Sequence, residues 1–276
     1  MANNVMGYIA KNSPIHRIHA TAKLVYFFVV STAAMITYNT WLLLFIAFSS
    51  VLLLKISKIY YREISFVLKF IIFFSVLNLV TVYLFDPMHG TDIYGTTHYM
   101  FKGWKWFQFT YEEAFFLFNL VLKYVATVPL AIIFLMTTNP SQFASSLNQV
   151  GISYKISYAV ALTLRYIPDV QSQYQAINKS QQARGLDLSR KQPFFKRLKA
   201  VIAQVMPLIL NSFSNIESIN HAMELRRFGA QKRRTWLMRQ KLTTKDYLTM
   251  LGACLILAFV FALYYVDGGR FYNPFI

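Results

Sequence analysis

Apolar residues come in five long, nearly uncharged blocks along this chain, at 22–38, 41–56, 66–85, 114–136 and 247–266. A bilayer's hydrocarbon core is crossed by about 17 to 25 mostly apolar residues in a helix, so each block predicts one transmembrane helix. The first two are short, about 25 Å each at a helical rise, and are expected to extend into their flanks. Between the fourth and fifth blocks the pattern changes. Asn139 followed by Pro140 reads as an N-cap and a first helical residue, since asparagine accepts the orphan amide bonds and proline lacks the amide that would be wasted. A short helix over 141–149 then stops at Gly151, and two long helices follow over 153–184 and 193–228.

Those two helices share a plan. Each starts apolar ("ISYAVALTLRYI" and "VIAQVMPLIL"), passes a proline (Pro168, Pro207), turns amphipathic and ends on arginine shortly before glycine. Val170, Tyr174 and Ile177 recur at helical spacing in the first, and Phe213, Ile216, Ile219 and Met223 in the second. At about 48 and 52 Å they exceed the ~30 Å hydrocarbon thickness, so their polar halves cannot lie in lipid. The expected fold is an all-α integral membrane protein of about five transmembrane helices, with a cytoplasmic insert of one short and two long amphipathic helices. Residues 1–138 carry helices one to four, 139–243 the insert, and 244–276 the last helix and an external carboxyl terminus.

Composition agrees with that class. Of 276 residues, 56% are hydrophobic and 14% charged, with mean hydropathy +0.39, too little polar surface for a soluble domain. The formal charge of +17 would suggest nucleic acid in a soluble protein; in a membrane protein it reflects Lys and Arg retained in cytoplasmic loops, and no nucleic-acid partner is expected. Lys11, Arg17 and Lys23 precede the first block and Lys55, Lys58 and Arg62 follow the second, whereas the Asn39–Thr40 turn is uncharged, which predicts a cytoplasmic amino terminus. The same cationic opening resembles a leader peptide, but a second apolar block begins at once, which favours a retained hairpin. The 86–110 loop then falls outside, with Trp104, Trp106 and Phe107 suited to a membrane-interface belt. The insert holds 16 Lys or Arg against 4 Asp or Glu, a net of +12 and most of the charge excess. Cys254, the single cysteine, can form no internal disulfide.

Two readings compete for Arg184 and Arg226. A cation near a helix carboxyl terminus is favoured by the macrodipole by about 0.3 to 1 kcal/mol, with Gly185 and Gly229 as left-handed caps. Alternatively the two tips plug acidic pockets on a partner, where truncating a desolvated charge pair costs on the order of 2 to 5 kcal/mol. Repetition of one plan in one insert favours the second reading.

Here the chain resembles the transmembrane coupling component, or T component, of energy-coupling factor (ECF) transporters, the CbiQ-like family, whose members end two cytoplasmic coupling helices on Ala-Arg-Gly motifs. The first motif stands intact as Ala183, Arg184 and Gly185; the second departs from the pattern, with Leu225 for alanine and Arg227 for glycine around Arg226. "TTNP", "LNQVGISYKIS" and "LRYIP" stand in the expected order ahead of the first motif. The resemblance implies a scaffold in a prokaryotic plasma membrane that works with two ABC-type ATPase subunits and a membrane-embedded S component binding a vitamin or metal ion. Each motif arginine would dock in an acidic groove of one ATPase. Closure on ATP would move the tips, and the apolar helix faces would carry that movement to the S component, which topples and reorients its ligand. Residues 139–243 would be the coupling domain. The chain itself would hold no cofactor, ATP and Mg belonging to the ATPases.

Catalytic signals are missing. "GTDIYGTT" from Gly90 has Walker-like glycine spacing without the lysine that phosphates require, so ATP binding is expected elsewhere. His16 and His19 stand three apart with no carboxylate or cysteine cluster, and no Ser, His and Asp spacing suggests a triad, so neither a metal site nor an enzyme is expected. Lys123 lies near the middle of the fourth block, where a charge is costly. It is either the working charge of a stand-alone secondary transporter or channel, or a lysine turned into the bundle and satisfied by amides such as Asn119 or Asn78, or one snorkelling along the helix.

Overall fold

The computed structural model describes residues 11–101, 109–185, 193–231, 235–236, 241–266 and 269–272. It divides into two compact units, Met1–Asn139 with Gln240–Ile276, and Pro140–Arg239. The first unit holds α1 (Ala20–Ile36), α2 (Thr40–Ile56), α3 (Tyr61–Phe85), α4 (His89–Tyr94), β1 (Tyr99–Phe101), β2 (Phe109–Thr110), α5 (Tyr111–Thr137) and, after the second unit, α9 (Thr244–Val266). The second holds α6 (Pro140–Gln149), α7 (Tyr154–Ala183) and α8 (Phe194–Leu225). α3, α5 and α9 are long and apolar enough to cross a membrane; α1 and α2 are apolar but shorter. Each of these five starts ahead of its apolar block. In α3, α5 and α9 the first turn carries Glu63, Glu112 with Glu113, and Asp246. Carboxylates suit a helix amino terminus, and a search for apolar runs reads them as loop.

α1, α2, α5 and α9 share one core. Ala33 and Ala34 of α1, Leu43 and Ile46 of α2, Ala126 and Leu130 of α5, and Ala253 and Val260 of α9 are buried in it. The alanines let backbones approach closely, as helix packing in lipid requires. Pro129 sits inside α5 and lacks the amide that would bond Val125 O; the Ser50 hydroxyl of α2 donates to that freed carbonyl at 3.2 Å. α3 stands apart, with Ile64 as its buried residue. It is tied to α5 by the Tyr124 hydroxyl, which donates to Asn78 Oδ1 at 2.7 Å. Phe66 and Phe85, 81% and 86% exposed, would be an aggregation liability in water and are an ordinary surface against lipid.

The end of this unit away from the junctions with the second is a small cap. The expected all-helical plan has one exception here, an antiparallel pair in which Tyr99 faces Thr110 and Phe101 faces Phe109. The buried carboxylate of Glu112 accepts from the His98 amide at 3.1 Å and the Thr96 hydroxyl at 3.0 Å and meets His98 Nδ1 at 2.7 Å. Glu113 accepts from the Gly90 amide at 2.7 Å. A Cβ on Gly90 would lie 2.7 Å from the Glu112 backbone, so the first glycine of the Walker-like stretch serves a close helix approach. Burial pushes the Tyr94 phenol up to about 12. Trp104, Trp106 and Phe107 lie outside the described residues.

Lys123 corrects one expectation. Its ammonium donates to Met35 O at 2.8 Å and lies 3.2 Å from the Tyr38 ring centroid. The amides expected to hold it are engaged elsewhere, Asn119 with Thr40 and Asn78 with Tyr124. It stands near the middle of α5 (Tyr111–Thr137), as the apolar block implied, and at the level where α1 ends. Arg270 joins it there, donating to Ile36 O at 2.9 Å and Met35 O at 3.1 Å. Two cations thus serve the carboxyl-terminal carbonyls of α1, where the macrodipole favours positive charge.

Candidate partner-docking site

The second unit is built around α7 and α8. Gly151, at φ 109, turns the chain out of α6, and Ser153 caps α7 by accepting from the Ile156 amide. The two long helices run antiparallel. Near the α8 carboxyl end, Phe228 packs on Tyr158 with ring centroids 4.6 Å apart and on Tyr154 at 5.7 Å, both at the start of α7. Toward their other ends, Gln204 of α8 donates to Asn178 of α7 at 3.1 Å. Trp236 packs on Tyr154 at 5.6 Å, and its indole donates to Asn148 of α6 at 3.2 Å. Consequently Arg184 and Arg226 stand at opposite ends of the pair, separated along it by about 30 to 40 Å of helix rise.

The two tips close in the same way. Arg184 is the C-cap of α7; Gly185 follows at φ 85, its amide donating to Gln182 O at 3.0 Å. Arg226 is the C-cap of α8; Arg227 follows at φ 51, its amide donating to Glu224 O at 2.9 Å, and the Phe228 amide donates to Met223 O at 2.9 Å. That pair of bonds is the Schellman closure, with Arg227 where glycine is the usual residue. The expectation that Gly229 caps α8 is therefore corrected. Gly229, at φ 91, makes a second left-handed turn two residues further on. Ala183, Arg184, Leu225, Arg226 and Arg227 are all exposed.

A cleft of about 570 Å³ opens between the helices beside Arg226. α7 lines it with Tyr154, Tyr158, Arg165, Tyr166 and Asp169, and α8 with Ile219, Ala222 and Met223. The apolar positions expected to act as one face thus separate. Ile219 and Met223 are half-buried in the cleft, whereas Phe213 and Ile216 are 65% and 51% exposed. Along α8 the exposed pair continues through Ile209, Met206, Ile202 and Leu198, an apolar stripe at helical spacing. On α7, Val170 and Ile177 are half-buried and Tyr174 is exposed. The cleft's α7 wall escaped the sequence reading, although Tyr154, Tyr158, Leu162, Tyr166 and Asp169 recur every three or four residues.

No group of three His, Cys, Asp or Glu side chains placed to hold a metal occurs among the described residues. His16 Nδ1 meets Ser13 Oγ at 2.7 Å, and His19 Nδ1 accepts from the Thr21 amide at 3.0 Å as the cap of α1.

A family model described as CbiQ, cobalt transport protein, matches residues 11–237, most of the chain and both tips included. The chain belongs to this family. Among curated proteins, this CbiQ-family chain is similar to the energy-coupling factor transporter transmembrane protein EcfT of Exiguobacterium sibiricum, 29% identical over 95% of the chain and 98% of the relative. It is also similar to EcfT of Thermotoga maritima, 25% identical over 95% and 94%, and to EcfT of Leuconostoc gelidum, 26% identical over 92% and 96%.

Proposed function

We propose that this chain is the membrane scaffold of an ECF-type importer, passing work from two ABC-type ATPase subunits to an S component that brings in a vitamin or metal ion. In this reading five helices cross the plasma membrane, with the amino terminus in the cytoplasm and the carboxyl terminus outside. Residues 139–243 form the cytoplasmic coupling domain. Arg184 and Arg226 each enter an acidic groove of one ATPase, flanked by Ala183, Gly185, Leu225 and Arg227. The exposed α8 stripe, Phe213 and Ile216 included, receives the S component, and Val170, Tyr174, Ile177, Ile219 and Met223 pack the coupling helices. ATP and Mg belong to the ATPases, and the chain performs no catalysis of its own.

The observation that carries the reading is the matched closure of two exposed, arginine-capped helix ends in a chain of the CbiQ family. A cation satisfying only its own helix dipole has no need to recur at the C-cap of two antiparallel helices. The alternative, a stand-alone transporter working through Lys123, loses its motive, because that ammonium is occupied by Met35 O and the Tyr38 ring. Affinity purification from the native host tests the proposal. The wild-type chain is expected to bring ATP-hydrolysing subunits with it, and the double reversal Arg184→Glu with Arg226→Glu is expected to lose them while remaining inserted and folded. Unchanged co-purification in the double reversal would remove the assignment of the tips.

A further inference from the structure

Two buried charges sit where the chain leaves the first unit and where it returns. Lys23, 7% exposed in the first turns of α1, donates to Thr137 O at 2.9 Å and reaches His16 O at 3.4 Å. Thr137 is the last residue of α5, three residues before the second unit begins at Pro140. Asp246, 2% exposed in the first turn of α9, accepts at one oxygen from the His19 amide at 2.8 Å. Its other oxygen accepts from the Thr243 amide at 2.7 Å and the Thr243 hydroxyl at 2.6 Å. Thr243 lies three residues after the chain returns at Gln240. Lys23, read from the sequence as one of the flanking loop cations, is instead an interior residue whose ammonium is spent on two carbonyls.

Both bonds meet at the start of α1. His19, the cap of that helix, gives its backbone amide to Asp246, and Lys23 follows one turn later. A cation on the carboxyl end of α5 and an anion at the amino end of α9 each suit the local helix dipole. Among the described residues no direct ion pair joins the two charges. Each is used to grip backbone, and buried charge-assisted bonds of this kind are stronger than neutral ones. α1 is thereby fastened at once to the end of α5, where the chain leaves, and to the start of α9, where it returns.

We propose that Lys23 and Asp246 are positioning residues forming a clamp that makes the ends of α5 and α9 move together when the second unit is pulled, so that work enters the helix core instead of being lost at the junctions. The inference rests on the proposed function, since it needs a partner that pulls. Both covalent paths from the second unit into the first run through Thr138–Asn139 and through Lys241–Thr243. Without the clamp, each path could yield separately.

The test uses the full complex in lipid nanodiscs, purified with its ATPases and S component and carrying Cys254→Ser. Nitroxides are placed at Leu135→Cys near the end of α5 and Tyr247→Cys at the start of α9, both exposed positions. Spin-label distances are read without nucleotide and with ATP and vanadate. The control chain, with Lys23 and Asp246 in place and the clamp intact, should give one narrow distribution in both states. Lys23→Met and Asp246→Asn should match it without nucleotide, keep their ATPases and ATP hydrolysis, and shift by roughly 2 to 5 Å on trapping, the scale of helix shifts in switching proteins. Thr243→Val, which removes one bond to Asp246, should give a smaller shift and guards against failure of the charge variants to fold. Distances that stay at the control value after trapping overturn the clamp. So do distances already altered without nucleotide, which would mean that these bonds merely hold the fold. Loss of ATPases from the control complex itself would instead sink the proposed function, and this inference with it.

Discussion

Arg227 occupies the left-handed region at φ 51, in the position that Gly185 fills at the other tip. That conformation costs an L-residue roughly 1 to 2 kcal/mol, while glycine in its place loses about 0.5 to 1 kcal/mol in chain entropy. Arg227→Gly should therefore raise the stability of the purified chain by up to about 1 kcal/mol, read as a higher thermal unfolding midpoint. Gly185→Ala should lower it by a similar amount, about 1 kcal/mol, for the converse reason. A stability loss in Arg227→Gly would mean that the side chain's contacts outweigh the strain of its backbone. The sequence showed that the second motif departs from glycine, yet it placed the cap at Gly229. Dihedral angles decide which residue closes a helix, and residue identity only biases them.

At the scale of elements, features that depend on continuous apolar character were legible in the sequence, and those that depend on facing partners were not. α5 and α9 are visible as apolar blocks because lipid demands length; their polar first turns are not, since Glu112, Glu113 and Asp246 are buried by bonds to residues far along the chain. The cap made of α4 and the short strands was read as a plain loop for the same reason. On α8 the heptad-like recurrence of Phe213, Ile216, Ile219 and Met223 was legible, but its division between cleft and open surface required knowing where α7 lies. That division makes the two isoleucines behave differently. Ile216→Ser should weaken retention of the S component with the unfolding midpoint nearly unchanged, because the residue is already 51% exposed. Ile219→Ser, in the cleft beside Ala222 and Met223, should loosen the α8 tip and cost about 1 to 3 kcal/mol. Hydrogen exchange over 219–229 and quantitation of co-purified subunits separate them, and equal loss of the S component in both would count against the division.

For the molecule as a whole, the layout of apolar blocks around a basic insert was written in the sequence, whereas the direction of α7 against α8 was not. Amphipathic periodicity says that a helix has a face; it does not say which way the partner runs. The contacts of Phe228 with Tyr158 and of Gln204 with Asn178 fix an antiparallel pair. This matters for mechanism. Tips lying side by side would present one combined basic surface, suited to a single acidic groove, whereas tips at opposite ends can engage two separate subunits and register a change in the distance between them. Arg184 follows Tyr158 by 26 residues on a helix whose start meets the other tip, which puts the tips on the order of 30 to 40 Å apart at 1.5 Å per residue. Nitroxides at Gln182→Cys and Leu225→Cys, on a Cys254→Ser background without partners, should give a distance distribution centred in that range. If the proposed function holds, the centre should move in the assembled complex when ATP is trapped, because each ATPase would then carry one tip as the pair closes. A distance below about 20 Å, which the helix rise forbids for an antiparallel pair of this length, would mean that the tips lie together, and docking to two separate grooves would then have no geometric basis.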